Sequence, residues 1–128
     1  MLSGTPSTLI ALGRGEDVLA STEAVGAVLL PAASRYRRVG VAAVAHLAIS
    51  LFWARVLQRV LREDTQPSAI VAAGQVVKGA GCGGAIALVD LGLIGRLLPP
   101  IRELDGGPLF ADHIAFGVIV GWVLHRAI

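Results

Sequence analysis

Four ionisable residues stand inside stretches of sequence that are otherwise apolar: His46, Asp90, Asp112 and His113. Arg55 and Lys78 are in similar surroundings. A charge at membrane depth is costly and persists only with a partner or a function. A carboxylate beside a histidine can relay a proton, because low dielectric moves both titrations. Two histidines on facing helices, His46 and His113, could instead hold a haem iron from both sides. Two histidines with one or two aspartates could bind a metal. The plainest use is structural: interhelical hydrogen bonds contribute roughly 0.6–2 kcal/mol each. Arg55 and Lys78 are two cations in one half of the bilayer and cannot neutralise each other. They either snorkel to the interface or meet an anionic lipid headgroup or a partner carboxylate.

The segments that position these residues run over 39–61, 69–98 and 109–125. Each reaches or approaches the roughly 20 residues that a helix needs to cross about 30 Å of hydrocarbon. Of the 128 residues, 55% are hydrophobic and 16% charged, whereas a soluble domain carries about 25% charge. The mean hydropathy is +0.73. The expected fold is an all-α integral membrane bundle with about three transmembrane helices. An amphipathic or short membrane helix over 18–30 is added at the N-terminal side. A single membrane domain, 1–128, leaves no soluble domain.

At 1.5 Å per residue, His46 lies about 10 Å from one membrane edge, Asp90 about 9 Å and His113 about 5 Å. The edge is the same in all three cases. Three helices therefore offer His46, Asp90 and His113 to one leaflet, with Asp112 beside His113, and they meet if all face the bundle interior.

The 18–30 helix takes Asp17 as its N-cap and ends at Pro31. Val18, Thr22, Val25 and Leu29 share one face, and about 13 residues are too few for a comfortable crossing, so a surface location is expected. Residues 1–17 read as an irregular lead-in without the basic start of a cleaved signal peptide. Ser34-Arg35-Tyr36-Arg37-Arg38 is an interfacial anchor. Residues 63–68 form a polar turn. The second span holds seven glycines, among them Gly79 and Gly83 at the G-x-x-x-G spacing that lets membrane helices approach closely. Gly117 and Gly121 repeat that spacing in the third span. So many glycines predict a tilt or kink near Gly81–Gly84. Pro99-Pro100 ends the second span. Arg102, Glu103 and Asp105 read as solvated charges. Cys82, the one cysteine, reads as a small packing residue with no disulfide or C-x-x-C metal role.

Arg14, Arg35, Arg37, Arg38, Arg96 and Arg102 fall on one side of the bilayer, and Arg59, Arg62 and Arg126 on the other. This bias predicts cytoplasmic loops at 31–38 and 96–108, with the C-terminus outside. The net charge of +2 with no clustered basic patch argues against nucleic acid as a partner. No G-x-S-x-G, H-E-x-x-H or Gly-rich phosphate loop occurs, so enzymatic activity is not expected. Ten arginines against one lysine, with abundant Ala and Gly, match the bias of GC-rich bacterial genes.

These features predict a small multi-pass protein of the inner (plasma) membrane, acting as a structural or accessory interaction subunit. Its partners would be the lipid bilayer and either further copies of itself or a larger membrane complex. A proton-coupled carrier and a haem-binding anchor are the alternatives.

Overall fold

A computed structural model of the chain describes residues 4–61 and 69–126. Among these residues every regular element is helical. The order is α1 (Thr5–Arg14), α2 (Ala20–Leu29), α3 (Arg35–Leu61) and α4 (Ala69–Ala87), then a π-helical segment (Leu88–Ile94). This is followed by α5 (Gly95–Leu97), α6 (Pro99–Arg102) and α7 (Gly106–Arg126). The polar turn expected at 63–68 lies outside the described residues.

Among the described residues, three helical stretches are long and apolar enough to cross a membrane: Arg35–Leu61, Ala73–Leu97 and Gly106–Leu124, with mean hydropathies of 1.7, 1.5 and 1.6. The chain is an all-α bundle of the kind its composition requires. The first and third helices start earlier than 39 and 109. An apolar run marks the part of a helix that lies in hydrocarbon, while backbone hydrogen bonding carries the helix on into the interface. At ten residues, α2 is about 15 Å long, half of what a crossing needs. It packs against α3 and α6, so it stays at the end of the bundle where α3 begins.

Residues 4–17 are not the irregular lead-in expected, and residues 1–3 lie outside the described residues. Thr5–Arg14 is a helix with Pro6 in its first turn. Gly15 closes it at φ 68°, and its N–H reaches back to the carbonyls of Ala11 and Leu12. Proline at the start and a left-handed glycine past the end are ordinary helix punctuation. Asp17 is not the N-cap of α2 either. That position belongs to Leu19, whose N–H donates to Asp17 Oδ1 at 2.9 Å in a local turn before the helix.

The expected irregularity near Gly81–Gly84 is also displaced. The α-helix runs through those glycines unbroken and widens only at Leu88–Ile94. There the Gly95 N–H bonds to the Asp90 carbonyl five residues back. Leu98 is extended, at φ −113° and ψ 103°, as a residue before proline should be. Pro99 then opens α6.

The tightest packing is between α4 and α7. A second cluster buries Leu57, Leu61 and Ile86 against Trp53, Cys82, Phe116, Val120 and Leu124. Cys82 is therefore the packing residue that its surroundings suggested. Along α3 only Ala42, Leu57 and Leu61 are buried. Most residues between Ala42 and Leu57 carry no full cover from the rest of the chain.

Candidate functional site in the membrane interior

Glycine spacing positions the site. A Cβ placed on Gly79 would overlap the Gly117 carbonyl, one on Gly83 the His113 carbonyl, and one on Gly121 the Gln75 carbonyl. One on Gly117 would overlap the Gly79 carbonyl in return. The two G-x-x-x-G pairs thus face each other, and the backbones of α4 and α7 touch where side chains would hold them apart. This contact brings the first half of α7 against the end of α4 and the π segment.

Asp90 and His113 meet there, with Asp90 Oδ2 3.3 Å from His113 Nε2 and both side chains 24% exposed. The other ring nitrogen, Nδ1, stands 2.7 Å from the Leu109 carbonyl oxygen one turn back on the same helix. A carbonyl only accepts, so this contact is a hydrogen bond only when Nδ1 carries the hydrogen. Counted from the nearby helix ends, Leu97 and Gly106, both residues lie about 10 Å along the helix axis.

The other expected members of the cluster are elsewhere. Asp112 does not join the pair; its Oδ1 accepts the Ser7 backbone N–H at 2.9 Å and so fastens α1 to α7. His46 is exposed on α3. It shares a face with Ala42, Trp53 and Leu57, at spacings of four, seven and eleven residues. Ala42 and Leu57 on that face are buried, whereas His46 between them is exposed. Among the described residues, no three His, Cys, Asp or Glu side chains converge as a metal site. A bis-histidine haem site does not fit this geometry, because His113 already engages both ring nitrogens. Arg55 and Lys78 are both exposed.

Several residues carry more than their sequence suggested. Asp105 is not merely a solvated charge. Arg14 Nη1 donates to its Oδ2 at 2.9 Å, and the Gly107 N–H donates to its Oδ1 at 3.0 Å. These bonds, the arginine's first, hold the Asp105 carboxyl below the usual carboxylate range. The Leu19 N–H, aided by Arg35, does the same for Asp17. Arg35 also pairs with Asp17 and, through Nε, with Glu23 at 3.2 Å. Gly26 is pressed against the Arg38 backbone, so α2 lies directly on α3. Gln75 is only 5% exposed. Its Nε2 donates to the Leu61 carbonyl at 3.1 Å, satisfying one of the carbonyls that a helix end leaves open.

A lone glycine in a ten-residue apolar helix was a signal for the α2–α3 contact. A lone amide in an apolar span was one for the Gln75 link. The Arg14–Asp105 pair is 91 residues apart in sequence and left no local signal. No family model, curated protein or solved structure matches this chain.

Proposed function

We propose that this protein is a small multi-pass membrane subunit whose α3 pairs with α3 of a second copy. The observation that carries the proposal is the exposure of His46 among the exposed apolar residues Val44, Leu47 and Ile49. An imidazole near the middle of a membrane helix needs a hydrogen-bonding partner. A neutral imidazole has one donor and one acceptor, so His46 is complementary to itself across a two-fold axis. Ala43, exposed one turn before it, offers a small side chain on the same side of the helix, which suits close helix approach.

Cysteine cross-linking in lipid nanodiscs tests this reading, with Ala43→Cys in a Cys82→Ala background. A disulfide-linked dimer is expected, and His46→Leu should weaken dimerisation by roughly fivefold, about 1 kcal/mol. A monomer at every protein-to-lipid ratio would overturn it. So would a different chain bound on α3.

The contact of α2 with α6 and the Arg14–Asp105 pair put residues 4–34 and 95–108 on one side of the bundle. The arginine bias supports a cytoplasmic setting for that side, in a bacterial plasma membrane with the C-terminus outside. An alkaline phosphatase fused after Ile128 should be active, and one fused in the 96–108 connection should not.

A proton-coupled carrier is the second reading, favoured by the Asp90–His113 pair. It requires that liposomes containing the protein dissipate a pH gradient and that Asp90→Asn stops them doing so. Tight liposomes would remove it.

A further inference from the structure

We infer that Asp90 and His113 form a binding site for one proton, shared between Oδ2 and Nε2. The inference follows from counting hydrogens. The Leu109 carbonyl, 2.7 Å from Nδ1, and the Asp90 carboxylate, 3.3 Å from Nε2, are both acceptors. A neutral imidazole has a single N–H. With that hydrogen on Nδ1, the Nε2 lone pair faces the carboxylate. With it on Nε2, the Nδ1 lone pair faces the carbonyl. Either neutral tautomer beside an ionised Asp90 leaves one contact repulsive. One added proton removes the conflict, whether written as imidazolium with carboxylate or as imidazole with carboxylic acid. In both forms each contact has one donor and one acceptor.

The surroundings do not supply that hydrogen by another route. Asp112, next to His113, is bonded to the Ser7 N–H. Arg96 on α5 and His46 on α3 are exposed. Cys82 on α4 packs against the Leu57 cluster. Arg14 on α1 is paired with Asp105. Among the described residues, none of these is hydrogen-bonded or ion-paired to Asp90 or His113, whose partners there are each other and the Leu109 carbonyl. Lys78 is twelve residues from Asp90, about 18 Å along the helix.

The backbone makes the site responsive. Asp90 lies within the π segment, a local widening of the kind often found where a helix does work. His113 lies where Gly83 lets α7 touch α4. Loss of the proton sets two lone pairs against each other across that joint, which relaxes only if the ring turns or the π segment shifts. The site is the one on which the carrier reading rests, but the inference needs no transport. Proton binding and proton flux are separate measurements, so either can fail alone.

The test is nitrogen-15 NMR of the histidine side chains in the full chain in nanodiscs, titrated with pH, with carbon-13 detection of the Asp90 carboxyl. His113→Gln and His46→Gln variants assign the signals, and His46 serves as an exposed control. Wild-type protein at pH 7 should hold two hydrogens at this site, one on Nδ1 and one between Nε2 and Oδ2. Asp90→Asn is the decisive variant. Its amide can donate to the Nε2 of a neutral ring, so the contact and the fold survive, verified by circular dichroism. Its His113 should nevertheless be a neutral ring at pH 7, with its one hydrogen on Nδ1 and Nε2 accepting from the amide. A neutral His113 beside an ionised Asp90 at pH 7 would overturn the inference. So would a doubly protonated His113 in Asp90→Asn at pH 7.

Discussion

Gly117 and Gly81 differ in what surrounds them, and the difference fixes how each tolerates a methyl group. A Cβ at position 117 would overlap the Gly79 carbonyl and approach the Gly83 nitrogen at 2.9 Å, all of it backbone. Neither atom can move without separating two helices. Gly117→Ala and Gly79→Ala should therefore destabilise the bundle by at least the 1–3 kcal/mol that overpacking typically costs. Gly81 has nothing within 4 Å of its added Cβ. Gly81→Ala should be neutral or stabilising by up to about 1 kcal/mol, from helix propensity alone. Reversible unfolding in mixed detergent micelles, followed by circular dichroism, separates the two outcomes. The spacing in both G-x-x-x-G pairs was legible because residues four apart lie on one helix face whatever the rest of the fold does. His46 was harder to read. Its depth follows from counting residues, but its freedom from the Asp90–His113 pair depends on how far α3 stands from the other spans.

Helix α1, at the bundle end, is joined by polar bonds rather than by burial. Helix α1 has no buried residue and is held by the Ser7–Asp112 hydrogen bond and the Arg14–Asp105 pair. Asp112→Ala should loosen α1 by about 1 kcal/mol, the usual net worth of a hydrogen bond. Spin labels at Leu9→Cys and Arg102→Cys, read as a distance distribution, would broaden. The same labels should report acid release. The Asp105 and Asp17 carboxyls titrate lower in the folded chain than in the unfolded one. Their stabilisation is then complete above an ordinary carboxylate pKa of roughly 4 and is lost as pH falls through their lower folded values. The α1 distance should thus be constant from neutrality down to about pH 4 and broaden below it. Helix α1 was missed in the sequence because its apolar stretch is short. Its punctuation, Pro6 and Gly15, was the better guide, since chain ends of a helix are set by backbone geometry and not by hydropathy.

At the scale of the molecule, α4 and α7 form one close-packed pair and α3 leans on it through the Leu57–Leu61–Ile86 cluster and the Gln75 bond. These two parts should yield separately. Leu57→Ala should weaken α3 docking by about 2 kcal/mol, at the low end for buried leucines. In a Trp122→Phe background, the fluorescence of Trp53, which packs on that cluster, would shift at lower denaturant than the unfolding of the α4–α7 pair. A single coincident transition would refute this division.

Composition and segment length determined which segments are long and apolar enough to cross a bilayer, and that α2 is too short to be one. Transfer of an apolar segment into hydrocarbon depends on a sum over neighbouring residues, so it can be read locally. Pairing depends instead on how each helix is rotated and how closely it approaches the next. Only the tertiary structure put Asp90 against His113, gave Asp112 to Ser7, joined Arg14 to Asp105 and left His46 on an open face. Those outcomes rest on backbone contacts at glycines and on bonds between residues far apart in sequence, which no window along the chain contains.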